Sequence, residues 1–330
     1  NDKNISVIGE DIETTIIDGN QNGNVIIVDG ASAYISELTI QNGGTSPPGV
    51  YGGGILFDHT SSTLQNLLVR ENSSELGGGI ACFNNSNIDL INVEITNNTA
   101  TGQGGGIHSN NSIIDANNIL IANNSAGSAG GGMWLFNSSA GTIITNSTIV
   151  NNTASSDGGS IQTLQDISII NTIIWDNYPD EISLTDGMVT GSVSATYSDI
   201  QGGWDGTGNI DADPLFCNPD SGDYTLAENS PCVGTGEDGE NMGVLGVGCS
   251  AILAVEEELL PIQYALRQNY PNPFNPVTTL RYDLPENGLV NITIYDMLGR
   301  EVKTLMDQTQ DAGYRSVIWD ATNDYGKPVS

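Results

Sequence analysis

A string of three glycines followed by a large apolar residue recurs along the first half of the chain, and its last copy is degraded. The apolar residues that end the five copies are spaced 25, 27, 26 and 28 residues apart. They are Ile55, Ile80, Ile107, Met133 and Ile161. A fixed period of roughly 20 to 50 residues is typical of solenoids, in which each repeat packs only against its neighbours.

A second motif keeps the same period, because in each repeat an aliphatic residue stands three positions before an asparagine. These asparagines are Asn72, Asn98, Asn124, Asn152 and Asn177. Short apolar segments of alternating pattern lie between the motifs, so each repeat holds about three short strands. Coils stacked about 4.8 Å apart share one continuous core. The motifs therefore predict an all-β fold that begins with a right-handed parallel β-helix, with the asparagines stacked as a ladder of amides.

The charge of the chain excludes several classes of partner. Lys and Arg total 8 against 40 Asp and Glu, and residues 1–250 contain only two of the basic residues, Lys3 and Arg70. Phosphate contacts need clustered cations, so we expect no nucleic-acid partner and no docking on an anionic membrane surface. The chain does not begin with Met or with a signal-like segment, which indicates a processed or partial chain.

Three of the four cysteines, Cys217, Cys232 and Cys249, fall close together, and none belongs to a CxxC pair. This arrangement disfavours zinc and favours one disulfide in an oxidising, extracellular compartment, with its pairing left open. Cys82 stands alone and is expected to be a small buried residue.

The glycine and asparagine motifs resemble the polymorphic outer-membrane-protein repeats of secreted bacterial right-handed β-helix proteins. The stretches Tyr197–Gly203 and Asn209–Phe216, and the later Asp223–Leu226, resemble the closing part of such domains. The resemblance implies the fold but not the activity, because related β-helices include lyases, hydrolases and non-catalytic adhesins.

The last part of the chain has a different pattern. The proline-rich motif NYPNPFNP at 269–276 is followed by alternating segments that predict strands from Thr278 to Leu284, Val290 to Tyr295, Glu301 to Leu305 and Tyr314 to Trp319. With IYDMLGREV at 294–302, these residues resemble the C-terminal sorting domain of proteins exported by type IX secretion. That resemblance implies an Ig-like sandwich, contact with the secretion machinery, and an extracellular or outer-membrane location in a Gram-negative bacterium.

We therefore expect four segments: a β-helix at 1–214, a cysteine-containing cap at 215–250, a linker at 251–263 and a sorting domain at 264–330. Domains of the sorting type normally continue through one or two more strands, so this one is expected to be incomplete.

Candidate ligand-binding residues follow from strand alternation. If Ile55 points inward, the first and third residues after it point outward, and the same holds in later repeats. Phe83, His108, Trp134 and Phe136 are then predicted to form an exposed aromatic patch suited to a neutral polysaccharide or surface glycan.

Evidence for catalysis is weak. A lyase would need cations, of which residues 1–250 offer only Lys3 and Arg70, and no second carboxylate falls beside Asp58 in the next two coils. We therefore predict no catalytic residues. The only metal expected is structural Ca²⁺, with candidate ligands Asp211, Asp213, Asp220 and Asp223.

Taken together, the residues favour a non-catalytic adhesin or glycan-binding protein. The alternatives are a carbohydrate-active enzyme, either a glycoside hydrolase or a polysaccharide lyase, and a structural filament or spacer that associates end to end through its open coil edges.

Overall fold

The computed structural model of the chain describes residues 3–44, 51–136, 141–184, 191–252, 263–269 and 277–329. The chain divides into two compact units, Asn1–Ile252 and Leu253–Ser330. Most of the expected linker, residues 253–262, lies outside the described residues, as do residues 270–276 of the proline-rich motif. Among the described residues, no helix has the length and apolar character that a membrane span requires.

The first unit is a parallel β-helix, as predicted, and three sheets run along it. The long sheet has 13 strands: Ile5–Ile8, Ile16–Asp18, Ala33–Gln41, Ser61–Arg70, Asn87–Thr96, Ile113–Asn117, Leu120–Ala122, Thr142–Thr145, Thr148–Val150, Asp166–Ile170, Ile173–Trp175, Ser192–Thr196 and Asp199–Ile200. The triplet sheet, whose strands mostly follow the glycine triplets, has seven: Ile26–Asp29, Ile55–Asp58, Ile80–Phe83, Ile107–Asn110, Met133–Phe136, Ile161–Leu164 and Ile182–Ser183. The short sheet has four: Ser73–Ser74, Thr99–Ala100, Ser125–Ala126 and Thr153–Ala154.

The core is a set of apolar stacks that run from coil to coil. Parallel pairing places Ile80 between Ile55 and Ile107, and it continues through Met133 to Ile161. All five side chains are fully buried. Because coils pair in register, one apolar residue per repeat produces a continuous interior, which is why the repeat stabilises the fold.

The glycine triplets form a corner where successive coils approach closely. The first glycine, Gly104 for example, has a φ of 69°, in the left-handed region that glycine adopts without strain. A Cβ on the second glycine, Gly105, would lie 2.4 Å from the carbonyl oxygen of Gly131 in the next coil. Only glycine therefore fits at this position.

The cap folds back along the outer face of the β-helix. It contains a sheet of Phe216–Asn218, Asp223–Ala227 and Val247–Cys249, and the short 3-10 turns Pro219–Ser221 and Glu237–Gly239. Apolar cap side chains, including Phe216, Leu226 and Met242, pack on outward residues of the long sheet such as Leu120, Val150 and Ile173.

Cys217 and Cys249 form a disulfide that joins the first and last strands of the cap. Cys232, the third candidate, is not part of a disulfide but a buried free thiol, and Cys82 is also buried and free. The Cys232 thiol donates to the Asp199 carboxylate, with its Sγ 3.0 Å from Oδ2.

The second unit consists of two small antiparallel sheets. Ala265–Leu266, Thr278–Leu284 and Gly313–Trp319 form one, and Gly288–Tyr295 and Glu301–Gln310 form the other. Tyr282, Leu284 and Val317 of the first sheet pack against Val290 and Met306 of the second.

Candidate functional site

The five repeated asparagines form a buried ladder along the β-helix. The Nδ2 of each donates to the Oδ1 of the next; for example, Asn98 Nδ2 lies 3.0 Å from Asn124 Oδ1, and Asn124 Nδ2 lies 2.9 Å from Asn152 Oδ1. The backbone N–H of Asn98 also donates to Asn124 Oδ1. All five side chains are buried away from water, so the ladder supplies the hydrogen-bond partners that their amide groups would otherwise lack.

The residue before each of the last four ladder asparagines forms a second, outward row. Asn97, Asn123, Asn151 and Asp176 have φ values between 54° and 58°. Asn and Asp tolerate this left-handed conformation better than other side-chain-bearing residues do. The kink turns one side chain outward and lets the next enter the ladder. Sequence reasoning missed this outer row, although the repeated Asn-Asn pairs were a signal for it.

The outer row forms one wall of a groove of about 560 Å³, which we call the cap groove. The opposite wall comes from the cap turn at 219–222, including Asp220, and from Tyr224. The amide of Asn123 donates to the Tyr224 hydroxyl at 3.2 Å, so the two walls touch at the base of the groove. Asn97, Asn151, Asp176 and Asp220 remain exposed along it.

The chemistry of the cap groove is polar and acidic. Amides can both donate and accept hydrogen bonds, and the two carboxylates Asp176 and Asp220 accept them. No Lys, Arg or His is among the described residues that line the groove. Such a surface suits a ligand rich in hydroxyl groups and without negative charge.

The predicted aromatic patch forms a stack but is not exposed at its centre. Ring centroids are 5.2 Å apart for Phe83 and His108, 4.5 Å for His108 and Trp134, and 5.4 Å for Trp134 and Phe136, and Tyr51 extends the stack from Phe83. His108 is only 1% exposed and Trp134 8%, so the expected exposure is wrong for these two residues.

The cause of this burial is packing on the outer side of the strand. Ala129, from the turn that leads into the glycine triplet, packs on Trp134, as does Leu164 from the next coil. Burial also lowers the pKa of His108 to about 3, which keeps the imidazole neutral against the indole ring. Alternation along a strand identifies the outward side chains but not the segments that cover them.

The four calcium candidates are not gathered into one ligand set. Asp211, Asp213 and Asp223 each accept a hydrogen bond from a nearby backbone N–H, and Asp220 lines the cap groove. Hydrogen bonds from Thr225 lower the pKa of Asp223. Among the residues that the structure describes, none of the four belongs to a group of three metal-ligating side chains, and calcium binding at them stays a prediction.

A different cluster does bring metal-ligating atoms together. Asp29 and Asp58 pair across the first two strands of the triplet sheet, and His59 Nδ1 lies 2.8 Å from Asp58 Oδ1. Ligand atoms of all three lie within 4.8 Å of one another. Asp29 lies in the coil before Asp58, which has no glycine triplet to mark its register, so sequence reasoning missed it. The matching segments Ile26–Asp29 and Ile55–Asp58 were the available signal.

Two family models match parts of the chain. Residues 268–315 match the secretion system C-terminal sorting domain, and residues 92–110 match the Chlamydia polymorphic membrane protein repeat. No curated protein and no solved structure gave a significant match. The second match covers the end of the strand Asn87–Thr96 and the residues after it, including Asn97 and Asn98 of the two asparagine rows. The chain is therefore a secreted or cell-surface β-helix protein with polymorphic-membrane-protein repeats and a type IX sorting domain.

Proposed function

We propose that this protein is a non-catalytic glycan-binding protein of the Gram-negative cell surface and that the cap groove holds a neutral polysaccharide. The supporting observation is the outer row, which presents one amide or carboxylate side chain per coil to the groove. Successive coils lie about 4.8 Å apart, so the row offers hydrogen-bonding groups at regular intervals to an extended polymer of hydroxyl-bearing units.

Export supports this role because a sorting domain delivers the β-helix to a place where polysaccharides are abundant. The charge of the cap groove also favours a neutral ligand, since the carboxylates of Asp176 and Asp220 would repel an acidic one at this site. A surface protein that binds a host or bacterial glycan in this way would act as an adhesin.

Replacing Asn97 and Asn151 with glycine tests the proposal. Glycine accepts the left-handed φ of both positions, so these changes remove side chains without straining the turns. The matched control is Asn111→Gly, also at positive φ but in a turn outside the cap groove. Losing two hydrogen bonds of about 1 kcal/mol each predicts roughly tenfold or greater weakening of polysaccharide binding in calorimetry. Equal affinity in the double variant and the control would contradict the proposal.

One observation, the pairing of Asp29 with Asp58, favours the alternative that the protein is a glycoside hydrolase. Glycoside hydrolases that retain configuration hold two carboxyl groups roughly 5 to 5.5 Å apart. A hydrolase at this pair would shorten a neutral polysaccharide, and Asp29→Asn or Asp58→Asn would abolish the shortening. A polysaccharide that is bound but not shortened would favour binding at the cap groove instead.

A further inference from the structure

The outer face of the three-stranded sheet in the second unit carries two arginines, Arg267 and Arg281, beside a single carboxylate, Asp283. Residues directly opposite in antiparallel strands share a face, and Arg281 lies opposite Ser316 while Asp283 lies opposite Tyr314. Arg267 extends this face, because its N–H donates to the carbonyl oxygen of Arg281 at 2.8 Å. The opposite face, with Tyr282 and Val317, packs into the core of the unit.

These residues and Arg315 line a groove of about 550 Å³, which we call the arginine groove. Two of the chain's eight basic residues, Arg267 and Arg281, lie on this face, whereas Arg315 pairs with Tyr282 and belongs to the other face of the sheet. One carboxylate, Asp283, is among the lining residues. Because Asp283 pairs with Arg267, Arg281 is the one unbalanced cation among the described residues of this face.

The three guanidinium groups differ in what they contact. Arg267 forms an ion pair with Asp283, and its Nη2 lies 2.6 Å from Oδ2. Arg315 donates to two backbone carbonyl oxygens, those of Asp311 and Ala312, and has no carboxylate partner among the described residues. The Arg281 guanidinium is exposed and makes no hydrogen bond or ion pair with any residue that the structure describes.

We propose that the arginine groove binds an acidic sugar through its carboxylate or phosphate group, with Arg281 as the principal anion ligand. A guanidinium presents paired N–H donors that match the oxygens of either anion. The hydroxyl groups of Tyr314 and Ser316, both exposed beside Arg281, can bond sugar hydroxyls, and the Tyr314 ring offers an apolar face. The volume of the groove lies in the range of small-molecule sites.

This site is distinct from the cap groove in both location and ligand charge. The two sites make opposite predictions for the same sugars: the arginine groove selects the acidic one, whereas the cap groove rejects it. Their tests can therefore fail independently of each other.

The experiment titrates the full chain separately with glucuronate, glucose 1-phosphate and glucose, and binding is measured by calorimetry or NMR. We expect saturable binding of one or both acidic sugars, weakened by added salt, and no comparable binding of glucose. Which acidic sugar binds distinguishes a carboxylate from a phosphate as the preferred group. Equal binding of glucose, or no saturable binding of either acidic sugar, would overturn the proposal.

Variants test the role of Arg281. Arg281→Gln should weaken binding at least tenfold, whereas Arg281→Lys, which keeps the charge but not the fork, should fall in between. The matched control is Arg300→Gln, another exposed arginine, which pairs with Asp296 outside the groove. Unchanged affinity in Arg281→Gln, with the melting temperature retained, would also overturn the proposal.

Discussion

The carboxylate of Glu181 accepts two hydrogen bonds from Asn177, one from the backbone N–H at 3.1 Å and one from Nδ2 at 2.6 Å. These are the two donors that every earlier ladder asparagine directs at the amide oxygen of the next one. Glu181 therefore takes the place of a sixth asparagine and terminates the ladder. When Glu181 is ionised, the hydrogen bonds from Asn177 stabilise its charge, although burial outweighs them and raises its pKa.

Glu181 should make stability depend on pH. Burial raises its pKa to about 7 from an ordinary value of 4.5. Between these values the folded chain holds a proton that the unfolded chain releases, so this contribution to stability is present below about pH 4.5 and is lost as pH rises to about 7. The free energy of unfolding of the wild type, relative to Glu181→Gln, should fall across that window in chemical denaturation.

Asp199 supplies a matched comparison for that experiment. Its burial raises the pKa to about 6 from 3.8, so Asp199→Asn should remove a pH dependence of the same sign in a lower window. A wild-type profile parallel to that of Glu181→Gln from pH 4.5 to 7 would show that the Glu181 carboxylate does not titrate as described.

Asn124 lies at the middle of the ladder, and replacing it with alanine should be severely destabilising. The change leaves the N–H and Nδ2 of Asn98 without their acceptor and removes the donor to the Ile95 carbonyl oxygen. Unsatisfied buried polar groups cost about 1 to 3 kcal/mol each, so we expect a loss of about 3 kcal/mol or more. Asn118→Gly, at an outer turn with positive φ, should change stability by less than about 0.5 kcal/mol. Equal losses in both variants would refute a special role for the ladder.

Replacing Trp134 distinguishes a role in core packing from a role in polysaccharide binding. Because the side chain is buried between Ala129 and Leu164, Trp134→Ala should lower the free energy of unfolding by about 3 to 5 kcal/mol. Polysaccharide affinity of the folded variant at low temperature should match that of the wild type. A variant of normal stability that no longer binds the polysaccharide would restore the aromatic stack as the binding face.

The Cys217–Cys249 disulfide should stabilise the cap in particular. It closes a segment of 32 residues, for which a cross-link contributes about 3.7 kcal/mol through loop-closure entropy. A reductant should lower the melting temperature and increase hydrogen exchange in residues 215–250 and on the strands beneath them, and the double variant Cys217→Ser/Cys249→Ser should show the same change without reductant. Thiol titration of the unfolded, unreduced chain should count two thiols, Cys82 and Cys232; four would disprove the pairing.

What the sequence predicts well is what repeats. The apolar residue after each triplet and the ladder asparagine recur at one position per coil, so a single physical rule, in-register stacking, places all of them. The strand Thr278–Leu284 followed equally from alternation, because one of its faces is buried.

The features that could not be predicted from the sequence involve segments that occur only once in the chain and have no counterpart in other repeats. The cap folds back over Leu120 and Val150 through side chains that have no counterpart in other coils, so neither the cap groove nor its contact with Asn123 could be inferred from the period. The pair of Asp29 with Asp58 was missed because the first coil lacks a glycine triplet to mark its register. Arg281 and Ser316 are 35 positions apart, and only strand pairing brings them to one face of the sheet.

The most direct test of the central claim mixes the full chain with a panel of neutral polysaccharides and measures the length of bound and free glycan by mass spectrometry. The account predicts that at least one glycan is retained at its original length and is released when Asn97 and Asn151 are both glycine. Shortened chains in the wild-type sample, lost in Asp58→Asn, would contradict it and establish an enzyme, and retention by neither protein would contradict the binding role itself.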